Sequence, residues 1–187
     1  RAVAGVCTAT AGRSRRVRGP GVAIAQSSTT EFFSLTDGGQ TADSVAARVA
    51  GFLDGATQTI DIAIYDLRLE AGPSATVLSS FSAALKRGVT VRLMFNHDHP
   101  DTIPVPPPGQ VDWAFIDQLK ALGIATKPVQ GVPDLMHHKY VVRDTATPRA
   151  TVLIGSMNVT THACTRVAAV SVTIASPIVT DVAHRPH

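Results

Sequence analysis

The sequence predicts an α/β domain in which helices flank a layered, mixed and mostly parallel β-sheet. Short apolar segments rich in β-branched residues alternate with segments whose apolar residues recur at helical spacing, and this alternation is typical of strand–helix–strand units. With 187 residues, 44% of them hydrophobic and 17% charged, the chain is long enough for one substantial core. It contains neither an internal repeat nor an apolar run of the roughly 18 to 20 residues that would span a bilayer.

The first predicted elements are a strand and a helix. Residues 31–35 carry aromatic and apolar side chains and precede an Asp-Gly-Gly turn at residues 37–39, which predicts a short strand. Thr41 is a good N-cap, and the apolar residues behind it recur at i, i+4, i+7 and i+8. A one-sided helix is therefore expected to run to about Asp54, with Gly55 ending it.

Further strands and helices are predicted after this helix. Residues 59–65 alternate enough to form a central strand, and a second helix is expected to begin at Pro73. It should end at the Lys-Arg-Gly segment of residues 86–88, where cations complement the helix dipole and glycine stops the helix. Residues 89–95 form the next strand, and residues 111–122 form a third helix.

Proline limits two of the remaining segments. Four prolines lie within residues 103–109, so this loop is expected to be extended rather than helical. After the third helix, residues 124–126 form another short strand, which Pro128 is expected to limit.

Residues 134–158 carry the strongest chemical signal in the chain. They include two short apolar strands, residues 140–142 and 151–154, which we expect to pair as antiparallel neighbours. Polar residues precede the first strand and follow the second, so both groups should lie at the same end of the sheet. The residues concerned are His137, Lys139, Ser156 and Asn158.

The alternation of side chains along a strand sorts these residues by face. Residues i and i+2 point the same way, so His137 and Lys139 share a face while His138 points to the other. Ser156 and Asn158 share a face by the same rule. An imidazole, an ammonium, a hydroxyl and a carboxamide would then meet, without the carboxylates of a metal site. Such a set suits a phosphodiester, whose oxygens need fixed donors while a nucleophile attacks phosphorus in line.

The spacing of these residues resembles the HKD signature of the phospholipase D superfamily. The matching residues read His137-x-Lys139-x4-Asp144 and, further along the chain, Gly155-Ser156-x-Asn158. The resemblance extends over about residues 30–180, because the order of strands and helices is similar too. A single phospholipase D-like domain is therefore expected over residues 29–187.

The resemblance implies a role for each matching residue. His137 would attack phosphorus and form a phosphohistidine intermediate, while Lys139 and Asn158 would hold the non-bridging oxygens and Ser156 would assist. Asp144 belongs to the catalytic motif, but its odd offset from Lys139 takes it off the active face, so it would orient or pair locally. Neither a metal nor another cofactor is implied.

Two departures from the family's pattern bear on activity. Members use two such motifs, one histidine attacking and the other protonating the leaving oxygen as general acid, whereas this chain has one. The second motif is expected from a twofold-related partner in a homodimer, or from the C-terminal half of a longer protein. Members also commonly carry a glutamate behind the nucleophilic histidine. Residues 166–170 contain no acid, which predicts weakened control of the imidazole tautomer and basicity.

His97 and His99 form a second histidine group, directly after the strand at residues 89–95. A His-x-His pair can bind a metal, but beside a proline it is more typical of a loop at a strand end. Because the carboxyl end of that strand should face the cleft, both residues are candidates for lining the substrate pocket.

The net charge of +3 comes from the N-terminal segment. Five of the 17 basic residues lie in residues 1–20, whereas from residue 21 onward 12 basic residues meet 14 acidic ones. Residues 1–28 are therefore expected to be a disordered basic leader. They are not a convincing signal peptide, because no clean apolar core of about 7 to 15 residues follows a charged start. The sequence leaves the compartment undetermined, cytoplasmic or secreted. The part of the chain from residue 21 onward offers no broad cationic face for a polyanion.

Three functions are open on these grounds. The first is a phospholipase D-type phosphodiesterase acting on a phospholipid or a similar diester, which the charge of the body favours over nucleic acid. The second is a metal-independent nuclease with the same chemistry, which needs a basic groove from the leader or from a partner subunit. The third is a catalytically impaired module that binds phosphate or lipid, which the single motif and the missing glutamate favour.

Overall fold

The computed structural model describes residues 29–35, 39–97, 111–131, 136–166 and 169–175. The described helices are α1 (Ala42–Asp54), α2 (Ala71–Lys86), α3 (Trp113–Ala121) and α4 (Thr161–Arg166). The described strands are β1 (Thr29–Leu35), β2 (Thr59–Ile64), β3 (Leu67–Arg68), β4 (Thr90–His97), β5 (Ala125–Gln130), β6 (Lys139–Arg143), β7 (Thr151–Gly155), β8 (Val159–Thr160) and β9 (Ala169–Ala175). None of these helices is long and apolar enough to cross a bilayer. The predicted leader at residues 1–28, the proline-rich segment at residues 103–109 and His99 lie outside the described residues.

Seven of the described strands form one mixed sheet in the order β1-β9-β7-β6-β2-β4-β5. At one end of this order β2, β4 and β5 run parallel. The other strands pair antiparallel, beginning with β6 against β2. Strands β3 and β8 form a separate parallel pair. The predicted fold class, an α/β domain with a mixed sheet flanked by helices, is confirmed.

Helices α1, α2 and α3 pack on the sheet through one apolar layer. Alternate residues of β4 illustrate it, since Leu93 is buried in this layer while Met94 is 41% exposed on the other side. Burying an aliphatic side chain of this size contributes about 1.5 to 3 kcal/mol, so the layer supplies much of what holds the helices to the sheet. Its largest fully buried side chains are Leu53, Ile60, Leu93, Phe115, Ile116 and Leu119.

The start of α1 agrees with the sequence prediction. Thr41 Oγ1 accepts a hydrogen bond from the backbone N–H of Ser44 at 3.1 Å, and Ser44 Oγ accepts one from the backbone N–H of Thr41 at 3.2 Å. The two residues form a capping box that satisfies two N–H groups otherwise left without an intrahelical partner.

Two element boundaries differ from the prediction. Helix α2 begins at Ala71 rather than at Pro73, because Glu70 is the N-cap and Pro73 falls in the first turn, where a backbone N–H has no intrahelical acceptor and the N–H that proline lacks is not needed. Strand β5 runs on to Gln130 and so passes through Pro128. It pairs with β4 at the edge of the sheet, and an edge strand can carry a proline on its unpaired side.

Arg143 ties the end of β6 to the end of α1. Its Nη1 atom donates a hydrogen bond to the carbonyl oxygen of Phe52 at 2.8 Å, and its guanidinium lies 4.7 Å from the centre of the Phe52 ring. Gly55, the C-cap of α1, leaves room for this contact, because a Cβ atom at that position would collide with the guanidinium.

Gly55→Ala is therefore expected to lower the free energy of unfolding by about 1 to 3 kcal/mol, because the methyl group displaces a charged donor from its hydrogen bond. Gly51→Ala is the matched control. Gly51 lies inside α1, and no described atom would lie within 4 Å of an added Cβ, so this change should raise stability by about 0.5 to 1 kcal/mol. Urea denaturation followed by circular dichroism measures both. Equal stabilisation by the two changes would contradict the Arg143 contact.

Candidate active site

The ends of two central strands meet beside His137. Strand β6 runs antiparallel to β2 with Lys139 opposite Ile64, so the residues after β2 lie beside the residues before β6. The backbone N–H of Tyr65 continues this pairing by donating to the carbonyl oxygen of His138 at 2.7 Å. The backbone N–H of Met136 donates to Asn96 Oδ1 at 3.3 Å, which ties the same segment to β4. The motif thus lies at the carboxyl end of the parallel strands.

The ring of Tyr65 contacts both His137 and Lys139. Tyr65 is buried, its ring centre lies 4.6 Å from that of His137 with the two planes at 64°, and the Lys139 Nζ atom lies 4.9 Å from the centre of the same ring. His138 instead packs on Tyr140, with ring centres 5.8 Å apart. His137 and Lys139 therefore share one side of the strand, and His138 is on the other.

The surroundings favour the neutral form of His137. The His137 side chain is exposed, but neighbouring groups partly desolvate it, and this desolvation, the positive charge of Lys139 and the neighbouring His138 lower the pKa of His137 below its ordinary value. Burial also lowers the pKa of Lys139, against the opposing effect of Asp66. The Lys139 ammonium donates a hydrogen bond to the backbone oxygen of His137 at 3.0 Å. A neutral imidazole is thus held next to an ammonium, which is the pairing needed for nucleophilic attack on an anionic group.

The segment that follows β7 lies close to the start of β6. Because Ile154 pairs with Tyr140, the chain beyond Gly155 passes the start of β6. The backbone N–H of Val159 then donates to the carbonyl oxygen of Asp66 at 3.1 Å, as β8 pairs with β3. The structure therefore brings Asn158 beside the end of β2, while Ser156 is exposed.

Asn158 carries an unusual polar atom. Its side-chain Oδ1 is buried and has no hydrogen-bond partner within the described part of the chain. Leaving a buried acceptor unpaired costs about 1 to 3 kcal/mol, and such atoms concentrate where a fold has a task other than stability. The atom lies in the segment that the sequence singles out for binding phosphate.

Sequence reasoning missed three residues next to this motif. Tyr65 makes the ring contacts described above, and Asp66 is a buried carboxylate held by a two-pronged ion pair with Arg68. Arg68 Nε donates to Asp66 Oδ1 at 2.8 Å and Arg68 Nη2 donates to Oδ2 at 2.6 Å. The position of these residues in the sequence could have indicated them, because Tyr65 and Asp66 directly follow a buried strand whose carboxyl end lies beside the motif.

Asp144 lies at the opposite end of β6 from His137. Its carboxylate is 1% exposed, and its Oδ1 atom accepts backbone hydrogen bonds from Thr57 at 2.8 Å, Gln58 at 2.7 Å and Thr59 at 3.4 Å. Burial alone raises the pKa of Asp144, but these hydrogen bonds outweigh burial and the pKa is lowered. The structure does not bring Asp144 to the other motif residues, and its contacts instead join β6 to the start of β2.

Asp144→Ala is expected to lower the free energy of unfolding by about 1 to 3 kcal/mol, because it removes the acceptor of three partly buried backbone hydrogen bonds and puts alanine at a φ of +56°. Asp144→Asn should cost less, since asparagine keeps an acceptor and tolerates this φ. Because the folded-state pKa is lowered, the wild-type advantage over Asp144→Asn should be present at neutral pH and fade as the pH falls through that pKa. Urea denaturation across pH 3 to 7 checks this, and an alanine variant as stable as the wild type would contradict it.

His97 is the last residue of β4, so it lies at the same edge of the sheet as the motif. Its ring packs against Trp113 with centres 5.3 Å apart, and its carbonyl oxygen accepts from the backbone N–H of Gly131 at 3.1 Å. Its expected neighbour His99 lies outside the described residues. In the part of the chain that the structure describes, no three His, Cys, Asp or Glu residues are grouped so as to hold a metal ion.

Comparison with known proteins identifies the family to which this fold belongs. Residues 49–185 match the family described as cardiolipin synthase, PLD-like domain. The chain belongs to this PLD-like family, and the resemblance to the phospholipase D superfamily is confirmed. A search of curated proteins finds no match.

Solved structures show the same fold at low sequence identity. Nuc from Salmonella typhimurium, a phospholipase D family member, is similar with a TM-score of 0.61 and 20% identity over 83% of this chain and 88% of Nuc. NucT from Helicobacter pylori has a TM-score of 0.60 and 15% identity over 83% of this chain and 91% of NucT. Phosphatidylserine synthase from Haemophilus influenzae Rd KW20 has a TM-score of 0.57 and 13% identity, covering 86% of this chain but 37% of the synthase.

Replacing Lys139 by methionine is expected to raise the pKa of His137, because it removes one of the charges that disfavour the imidazolium. The titration is followed by NMR of the imidazole C–H resonances of full-length protein. Lys120→Met is the matched control, since Lys120 is ion-paired with Asp117 and lies over Trp113. An unchanged His137 titration in Lys139→Met, or an equal shift in Lys120→Met, would rule out this electrostatic coupling.

Proposed function

We propose that this chain is a phospholipase D-type phosphodiesterase in which His137 forms a phosphohistidine intermediate. The observation that carries the proposal is the contact of His137 and Lys139 with one side of Tyr65, which holds a neutral imidazole next to an ammonium. Membership of the PLD-like family supports the reaction class.

The reaction would proceed in two displacements. A ring nitrogen of His137 attacks phosphorus, the bond to the leaving oxygen breaks, and a general acid protonates that oxygen. Water then attacks the phosphohistidine, which releases the phosphomonoester and restores the imidazole. The Lys139 ammonium and the Asn158 amide would donate hydrogen bonds to the non-bridging oxygens as their negative charge grows, with Ser156 assisting.

The general acid is the part of this scheme that one motif does not supply. We infer that a second histidine comes from a twofold-related copy of the chain, or from another part of a longer protein. Apposed motifs would bring a second imidazole to the leaving group while each copy keeps its own nucleophile. Mixed dimers offer a direct check, since a His137→Asn subunit paired with a wild-type subunit should lose activity if the two histidines share a site.

A phospholipid is the substrate that the surroundings of Lys139 favour. A cavity of about 50 Å³ lies beside Lys139 and is lined almost wholly by apolar side chains from α1 and the sheet. Arg48, at the same cavity, is ion-paired with Glu31, and Arg68 is ion-paired with Asp66. An apolar wall whose neighbouring arginines are ion-paired suits an amphiphilic diester better than a polyanion. The apolar residues around the cavity include Val45, Val49, Leu153, Met157 and Val159.

His137→Asn is expected to reduce kcat on a chromogenic phosphodiester by about 1,000-fold or more, because the variant lacks the attacking nitrogen. His138→Asn is the matched control and should stay within about threefold of the wild type, since His138 lies on the other side of the strand. Activity should survive EDTA. Metal-dependent turnover, or an equal loss in both variants, would contradict the proposed mechanism.

Substrate preference distinguishes a nuclease with the same chemistry from a phosphodiesterase that acts on phospholipids. Phosphatidylcholine vesicles and labelled single-stranded DNA are compared at equal phosphodiester concentration and at two salt concentrations. A lipid-acting enzyme should release headgroup and leave DNA intact. Cleavage of DNA that weakens steeply with salt would instead favour the nuclease.

A catalytically impaired binding module is the second candidate. It is favoured by the ring of His137, which has no carboxylate partner among the described residues. Such a module should bind vanadate or inorganic phosphate by calorimetry while releasing no product from any diester. Turnover that depends on His137 would exclude it.

A further inference from the structure

The imidazole of His137 is held by an aromatic ring rather than by an acid. Within the described residues, the contact of its ring is with Tyr65, and the groups that shift its pKa are Lys139 and His138 together with burial. Histidine nucleophiles and bases usually depend on a carboxylate or carbonyl that orients the ring. The Tyr65 ring is therefore the candidate for limiting the rotation of the imidazole.

We propose that Tyr65 is a positioning residue that holds His137 and Lys139 in reacting geometry, in place of an orienting carboxylate. The inference rests on the proposed role of His137 as nucleophile. Tyr65 acts through these two side chains and need not touch the substrate itself.

Three contacts support this role. The edge-to-face arrangement of the Tyr65 and His137 rings, at 4.6 Å and 64°, matches the geometry that aromatic quadrupoles prefer. The Lys139 Nζ atom lies 4.9 Å from the centre of the Tyr65 ring, within range of a cation–π interaction. The Lys139 ammonium also donates to the backbone oxygen of His137, so the three residues form one contact group.

Tyr65 is itself well placed to act as a fixed support. It is 6% exposed and follows directly after the central strand β2. Its backbone N–H donates to the carbonyl oxygen of His138, the residue between the two side chains that it contacts. Tyr65 is therefore linked through the main chain to the segment that carries His137 and Lys139, and this hydrogen bond limits how far Tyr65 can shift relative to that segment.

The contact has a chemical consequence that a carboxylate would not have. An aromatic ring restricts the orientation of the imidazole but accepts no strong hydrogen bond from it, so it does not raise the basicity of the ring. A site built in this way depends on the position of the Tyr65 ring, which holds the imidazole next to the Lys139 ammonium.

The test uses Tyr65→Phe and Tyr65→Leu in the full chain, assayed on a chromogenic phosphodiester. Tyr65→Phe keeps the ring and should retain kcat within about threefold. Tyr65→Leu should lower kcat by about 10- to 100-fold, as small displacements of reacting groups do, with a smaller change in KM because Lys139 keeps its charge. Tyr140→Leu is the matched control. It removes the ring that packs on His138, 5.8 Å away, and should change kcat by less than about threefold.

A second readout separates positioning from a general loss of structure. In Tyr65→Leu, NMR titration should show the His137 pKa rising toward its ordinary value, because the imidazole and the Lys139 ammonium are no longer held against one ring and the ammonium disfavours the imidazolium less. Tyr65→Phe and Tyr140→Leu should leave that titration unchanged. Activity of Tyr65→Leu within twofold of the wild type would overturn the proposal, and so would lost activity with an unchanged His137 titration. If the wild type turns over no diester, the proposed function fails, and the titration alone decides whether Tyr65 holds the imidazole.

Discussion

The antiparallel pairing of β6 with β2 is the constraint on which the rest of the site depends. Its register, with Lys139 opposite Ile64 and Arg143 opposite Ile60, sets which side chains reach which end of the sheet. A slip of one residue would exchange the faces of His137 and His138 and remove Lys139 from Tyr65. The proposed chemistry at this end of the sheet therefore requires that the register be held against slippage.

Both ends of the pair are held by contacts outside the ladder. At one end, Asp144 accepts hydrogen bonds from three successive backbone N–H groups before and at the start of β2. At the other end, the Tyr65 N–H donates to the His138 carbonyl oxygen. The conspicuous acid of the sequence motif thus stabilises the strand that presents the histidine, although it lies at the far end from it. A motif residue can in this way contribute to a reaction only by stabilising the register of the strand that carries the reacting residue.

Much of this arrangement could be predicted from the sequence because it is local. Alternation along one strand separates His137 from His138, and the apolar runs at residues 140–142 and 151–154 predict the β6–β7 pair. Tyr65 and Asp66 could not be found in this way, since their interactions with Lys139 join segments more than 70 residues apart, and Arg68 is placed there only by its ion pair with Asp66. Strand β5 passing through Pro128 has a similar cause, because only the order of strands shows that it lies at the edge. The local sequence pattern predicts which side chains share a face of a strand. The pairing of distant strands determines which residues those faces contact.

The proposed mechanism is tested most directly by identifying the residue that becomes phosphorylated. Full-length protein is mixed with a diester, quenched with base within the first turnovers, and digested for mass spectrometry under conditions that preserve phosphohistidine. We expect phosphate on His137, none on His138, and loss of the label on longer incubation as water completes the cycle. Turnover of the diester with His137 unmodified at every quench time, or with the label on His138, would contradict the proposed mechanism.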